Sequence, residues 1–74
     1  MNTNQLSGII AVHDDTVLNA QFSYTIDTSN NKVTYTITCY WKKRNIYGKC
    51  PFKKYKDAAL YFEGLPSVSK MEMV

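Results

Sequence analysis

Polar and apolar residues alternate strictly along two segments of the chain. From Leu18 to Ile26, and again from Val33 to Trp41, every second residue is apolar and the intervening ones are Thr, Ser, Asn, Gln or Tyr. A period of two is typical of a strand with one buried and one wet face. The cluster 27–31 between them contains Asp and Asn, which tolerate left-handed backbone and favour turns. The pattern therefore predicts a β-hairpin.

Shorter patterns on either side of the hairpin extend the predicted sheet. Gly8 to His13 reads as a short apolar strand, and the polar residues 13–16 form the turn into the hairpin. After a turn at 42–45, the segment from Ile46 to Phe52 is compatible with a fourth strand. Gly48 and Pro51 restrict that strand to an edge of the sheet or to an irregular conformation.

The C-terminal third of the chain changes to helical spacing. Tyr55, Ala58, Ala59, Phe62 and Leu65 recur at intervals of three and four, which predicts a short helix from about Tyr55 to Glu63. A left-handed cap at Gly64 would end it. We expect an α+β fold, a three- to four-stranded antiparallel meander with this helix on one face. The chain is interpreted as a single domain, 1–74, with an ordered core at about 6–65 and a loose tail at 66–74.

The apolar positions of these elements define an expected core. Replacing a central member such as Phe22 or Ile37 by Ala is expected to cost about 2–5 kcal/mol. The expected core residues are Ile10, Val12, Phe22, Tyr24, Ile26, Val33, Tyr35, Ile37, Trp41, Ala58, Phe62 and Leu65.

Size and composition set further expectations. A chain of 74 residues buries only about 60% of its unfolded surface, so a homo-oligomer or a bound partner would be a natural source of added stability. The apolar run near the N-terminus is too short for a signal-peptide core or a membrane span, which favours a cytoplasmic protein with no membrane partner. In the cytosol Cys39 and Cys50 would be reduced, although a disulfide between them stays open.

The charge is concentrated in one block. The segment from Tyr40 to Lys56 carries seven bases and no acid, while the rest of the chain holds two bases and all six acids. Aromatic residues are interleaved with these bases, and such a footprint predicts an anionic partner. The candidate binding residues are Tyr40, Lys42, Lys43, Arg44, Tyr47, Lys49, Lys53, Lys54 and Lys56.

Catalytic and metal-binding interpretations are weak. His13 stands beside Asp14 and Asp15, but neighbours on a strand point to opposite faces, and a polar turn is the simpler interpretation. Lys49 and Lys53 near Cys50 make a reactive thiolate conceivable, yet no histidine completes a dyad. Two cysteines leave a tetrahedral zinc site two ligands short. We therefore expect no enzyme activity, no metal and no cofactor.

Two functional hypotheses follow. The first is a non-catalytic protein that binds nucleic acid or a nucleotide through the block 40–56. The alternative is an inhibitor or adaptor of the kind encoded by phages and other mobile elements, whose basic block meets an acidic groove of a larger host protein. Asn, Lys, Tyr and Ile are frequent in this chain, and this bias is common in proteins encoded by AT-rich genomes, including those of many phages. A solvated surface that merely protects sheet edges is the structural alternative to both.

Overall fold

The computed structural model describes residues 5–73 and shows one antiparallel sheet with a helix packed on one face. The strands lie side by side in chain order, β1-β2-β3-β4, so the predicted α+β meander is confirmed with four strands. The elements are β1 (Gln5–Asp14), β2 (Leu18–Asp27), β3 (Lys32–Trp41), β4 (Ile46–Phe52) and α1 (Tyr55–Met73).

The predicted hairpin of β2 and β3 is present with an unbroken register. Pairing runs from Leu18 opposite Trp41 to Asp27 opposite Lys32. Its turn contains Asn31 with a φ of 58°, and the β3–β4 turn contains Asn45 with a φ of 54°. Asn adopts left-handed backbone at lower cost than most residues, so these two asparagines account for where the chain reverses.

A β-bulge at Ile10 reverses the side-chain alternation of β1. The register with β2 shifts between Ile9 and Ala11. Before the shift, Ile9 pairs with the outward-facing Ser23, and after it Val12 pairs with Gln21 on that same face. Ile10 and Val12 are consequently 38% and 57% exposed, so their predicted place in the core is wrong. An inserted residue is invisible to a period-two pattern because the pattern assumes uninterrupted pairing.

The core lies between the helix and the faces of β2 and β3 that it covers. Leu18, Ile37 and Ala58 are fully buried, and Phe22 contacts the rings of Tyr35, Tyr55 and Phe62. Of the expected core, Phe22, Ile37, Ala58 and Leu65 are buried. Tyr35, Trp41 and Phe62 are half-buried against them, and Tyr24, Ile26 and Val33 are half-buried. Buried residues absent from that expectation are Val17, Leu18, Ala20 and Cys39.

The helix is twice as long as predicted. It continues through Gly64 and Pro66 to Met73, so the expected end at Glu63 is wrong. Residues 66–73, the expected tail, belong to the helix, and Val74 lies outside the described residues. Pro66 cannot donate the backbone hydrogen bond of its turn. Burial of Leu65 and Ser69 against the sheet offsets this local cost, because packing stabilises helices more than propensity does.

Within residues 5–73, no helix is both long enough and apolar enough to cross a membrane.

Candidate nucleic-acid interface

The sheet has an inner face, covered by α1, and an outer face that α1 does not cover. Outward residues of β2 and β3 are mostly Ser, Thr, Asn and Gln, because they alternate with the buried set. In β4 the outward residues are Tyr47, Lys49 and Pro51, which pair with Tyr40, Thr38 and Thr36 of β3. The outer face therefore carries Tyr47 and Lys49 of β4, while Cys50 and Phe52 lie on the inner face.

A pair of tyrosines lies on this outer face, at the end of the sheet where β3 and β4 are joined by their turn. The rings of Tyr40 and Tyr47 stack with 4.5 Å between centroids and an angle of 26° between planes. The Tyr40 hydroxyl donates a hydrogen bond of 3.0 Å to Asn45 Oδ1, which ties the pair to the β3–β4 turn. Tyr47 is 74% exposed, so the ring surface that does not contact Tyr40 faces solvent.

Basic side chains follow the tyrosine pair toward the other end of the sheet. Lys49 is exposed two residues after Tyr47 on the outer face. Lys53, just past β4, and Lys32, at the start of β3, line one shallow depression with Val33 and the outward Thr34. Lys32 lies outside the predicted block. The antiparallel register identifies it, because the start of β3 must lie beside the end of β4. Tyr40, Tyr47, Lys49, Lys53 and Lys32 are called the outer basic surface below.

Lys42 is exposed, but its polar groups are held by contacts within the molecule. Its ammonium group donates to Asp14 Oδ1 at 2.7 Å and to the Asp15 carbonyl oxygen at 2.6 Å. Its backbone N–H donates to the Val17 carbonyl oxygen at 2.8 Å. The hydrogen bond from Lys42, followed by that from Asn19, lowers the pKa of Asp14 below its usual value. Lys42 therefore fixes the β1–β2 turn, and part of its charge is neutralised there.

The remaining bases of the block are divided between two other places. Lys43 and Arg44 are exposed in the β3–β4 turn, at one end of β4. Lys54 and Lys56 are exposed at the start of α1, at the other end. Since β4 has seven residues and a strand rises about 3.3 Å per residue, the two ends are about 20 Å apart. The block is thus a rim around the β4 edge, with Lys56 in the layer of the helix.

His13, Asp15 and Ser69 form a second polar cluster at the inner face. One oxygen of Asp15, Oδ2, accepts hydrogen bonds from Ser69 Oγ at 2.5 Å and from His13 Nε2 at 2.6 Å. The other, Oδ1, accepts from the backbone N–H groups of Val17 and Leu18, each at 2.7 Å. These donors, Ser69 foremost, hold the pKa of Asp15 far below its usual value despite the opposing effect of burial.

The contacts of this cluster link the helix to the β1–β2 turn. Ser69 is fully buried, and its hydroxyl donates to the carboxylate instead of to the imidazole of His13. Ser69 therefore joins α1 to the β1–β2 turn.

The two cysteines are free thiols on the inner face. Cys39 is buried, and burial raises its pKa. The Cys50 thiol donates a hydrogen bond to the Tyr61 hydroxyl, with 3.6 Å between Sγ and Oη. Hydrogen bonding between Cys50 and the protonated Tyr61 hydroxyl, together with burial, raises the pKa of Tyr61 to about 12. Lys49 and Cys50 lie on opposite faces of β4. Lys49 is therefore not placed to stabilise a Cys50 thiolate, contrary to what the sequence suggested.

Among residues 5–73, no group of three or more His, Cys, Asp or Glu side chains could hold a metal ion. No family model, no curated protein and no solved structure matches this chain.

Proposed function

We propose that this chain is a non-catalytic, cytosolic protein that binds nucleic acid, with the outer basic surface as its contact. The observation that carries the proposal is the stacked pair of Tyr40 and Tyr47 on an uncovered sheet face, next to Lys49. Base–aromatic stacking is worth about 1–3 kcal/mol per base and does not depend on sequence. The solvent-facing ring of Tyr47 offers a place where an unpaired base extends the existing stack.

The charges support a polyanion rather than a single small anion. Lys43 and Arg44 lie at one end of β4, and Lys53 lies at the other, about 20 Å away along the strand. That separation spans about six phosphates of one DNA strand, at about 3.4 Å each. Lys49 lies between the two ends, on the outer face. A nucleic-acid strand along β4 contacts all of these charges, whereas one nucleotide reaches only a few.

The test is fluorescence anisotropy with labelled single-stranded and duplex oligonucleotides, as salt rises from about 50 to 200 mM. Binding is expected to weaken linearly on a logarithmic plot, with a slope of about −0.7 per contacted phosphate for single strands. Replacing Lys49 and Lys53 by Ala is expected to reduce this slope by about 1 to 2 units. Lys70→Ala removes an exposed lysine of α1 and serves as the matched control.

Absence of binding at the lowest salt would contradict the proposal, as would a slope that Lys49→Ala and Lys53→Ala leave unchanged. Lys42→Ala is unsuited to this test because it also removes the ion pair with Asp14.

A second candidate is an inhibitor or adaptor that docks in an acidic groove of a larger protein. The bases on both sides of the β4 edge favour it, since Lys49 lies on the outer face while Lys54 and Lys56 lie at the helix start. Such a convex rim fits a concave partner. Capture from nuclease-treated lysate separates the candidates. A protein retained by the native chain and lost with Lys54→Ala/Lys56→Ala supports docking, whereas loss of all binding after nuclease treatment supports nucleic acid.

A further inference from the structure

The two edges of the sheet differ in how they are protected against pairing with another strand. The β4 edge carries Lys49 and Pro51, and further bases stand at both of its ends. Lysine and proline are common devices that prevent an edge strand from pairing. The β1 edge has ten residues, and from Gln5 to Val12 it contains neither a charged residue nor a proline. An edge of this length presents a row of unpaired backbone groups.

The apolar side chains of β1 are also uncovered. Leu6, Ile9 and Val12 are 61%, 61% and 57% exposed. The helix packs over β2, β3 and β4, so the inward-facing Leu6 has little cover, and Ile9 and Val12 lie on the outer face. Uncovered apolar residues on both faces of one edge strand indicate an interaction surface at this edge.

The bulge at Ile10 limits which part of β1 can accept a partner. From Gln5 to Ile9 the pairing with β2 is regular, and the alternation reverses only at the bulge. Residues directly opposite each other in a sheet share a face. An antiparallel strand therefore keeps its faces matched along Gln5–Ile9 but not across Ile10, which makes the first half of β1 the pairing segment.

We propose that this segment pairs antiparallel with the same segment of a second copy of the chain, about a two-fold axis near Ser7. In that arrangement Gln5 lies opposite the partner's Ile9 on the outer face, and Leu6 lies opposite the partner's Gly8 on the inner face. The eight-stranded sheet of the dimer has β4 at both ends. Symmetric pairing of this kind closes after two copies, and the edges that remain are the two β4 edges protected by Lys49 and Pro51.

The charge distribution favours self-association through β1 over self-association through any other part of the surface. Each chain has a net charge of +3 with the bases gathered around β4, so contacts near β4 bring like charges together. Pairing through β1 places the two β4 strands seven strand spacings apart, about 34 Å. At physiological salt the Debye length is about 8 Å, and the repulsion between the basic rims is screened. The segment Gln5–Val12 is uncharged and pairs with itself without repulsion.

Sedimentation velocity from about 10 µM to 1 mM protein tests the proposal. A short strand interface without a large apolar core falls in the weak class, so the expected result is a monomer–dimer equilibrium within this range. Ile9→Lys replaces an apolar side chain of the pairing segment by a lysine opposite Gln5 of the partner. A lysine on an edge strand disfavours pairing with another strand, so this variant is expected to raise the dissociation constant at least about tenfold. Ile46→Lys is the control, since Ile46 is an isoleucine of the other edge strand, 51% exposed.

Hydrogen exchange provides a second readout. Backbone amides of Gln5–Ile9 are expected to become more protected as protein concentration rises, while those of β4 do not change. A chain that stays monomeric up to about 1 mM overturns the proposal. A dimer that Ile46→Lys weakens as much as Ile9→Lys also overturns it, because the contact is then elsewhere. Melting curves of both variants verify that each remains folded.

Discussion

The buried hydroxyl of Ser69 donates a 2.5 Å hydrogen bond to the carboxylate of Asp15, which lies 54 positions earlier in the chain. Asp15 also accepts the N–H groups of Val17 and Leu18, so one carboxylate orders the β1–β2 turn and anchors the second half of α1. This contact lies past Gly64 and Pro66, where the local sequence favours an end to the helix. It explains why the helix continues to Met73.

Ser69→Ala is expected to destabilise the domain and to loosen the end of α1 selectively. The substitution removes the hydroxyl that donates to Asp15 but keeps the Cβ of the side chain, so little packing volume is lost. Amides after Pro66 should exchange faster, and those between Tyr55 and Phe62 should change less. The control is Ser67→Ala, an exposed site at which surface substitutions alter stability by no more than about 0.5 kcal/mol. Equal effects of the two variants would contradict the anchoring role.

The depressed pKa of Asp15 makes stability depend on pH in a defined direction. Its folded pKa lies below the unfolded value, which is about 3.9. The stabilisation is therefore present above about pH 4 and is lost as the pH falls below that value toward the folded pKa. Asp15→Asn should lower the urea midpoint at pH 7 and shrink the difference between pH 7 and pH 3.

Asp57→Asn, which removes an exposed carboxylate of the helix, is the comparison for this measurement. It is expected to keep a difference between pH 7 and pH 3 that is closer to that of the native chain. A steeper loss of stability in Asp15→Asn than in the native chain would refute the assignment.

Substitutions at Ile37 and Val12 test whether the bulge in β1 places Val12 outside the core. Both are β-branched residues in strands, but Ile37 is fully buried while Val12 is 57% exposed. Ile37→Ala is expected to cost about 2–5 kcal/mol, because it leaves a cavity under the helix. Val12→Ala should change the unfolding free energy by no more than about 0.5 kcal/mol. Urea denaturation measures both, and a cost for Val12 similar to that for Ile37 would show that β1 is not bulged.

Gly8 and Tyr24 should be energetically coupled. They pair across β1 and β2, and a Cβ at position 8 would lie 2.7 Å from Cε1 and Oη of Tyr24. Gly8→Ala therefore forces the tyrosine ring away and is expected to destabilise by about 1 kcal/mol. In a Tyr24→Ala background the same change should be neutral or stabilising, since Ala loses less entropy on folding than Gly. A double-mutant cycle measures this coupling, and additive effects would exclude it.

Tyr47→Ala separates stacking from charge in nucleic-acid binding. Loss of the ring is expected to weaken binding of a single strand by about 1–3 kcal/mol. The salt dependence should remain that of the native chain, because no phosphate contact is removed. Lys49→Ala should act in the opposite way, with a smaller salt slope and intact stacking. Anisotropy titrations at several salt concentrations distinguish these outcomes, and a change of slope in Tyr47→Ala would argue against base stacking.

The sequence alone determined the fold class, the order of the elements and the limits of most strands, but it left open whether the sheet has three or four strands. The alternation from Leu18 to Trp41 depends only on local periodicity, and the asparagines of the turns depend only on local backbone preference. For the same reason the fourth strand begins and ends where predicted, from Ile46 to Phe52. The basic block is likewise a property of composition and is visible without a fold.

Tertiary structure decided which residues of those elements share a surface. The bulge at Ile10 turned Val12 outward, and the contact between Ser69 and Asp15 carried the helix past Pro66. Antiparallel pairing places Lys32 beside Lys53. Lys42 forms an ion pair with Asp14, which lies 28 positions earlier in the chain. Each of these depends on residues that are distant in the chain, whose interaction energies exceed the local preferences on which sequence patterns rest. The block is therefore continuous in sequence, but in space its bases form a rim around the β4 edge. Lys32 joins this rim on the outer face, whereas Lys42 stabilises the β1–β2 turn.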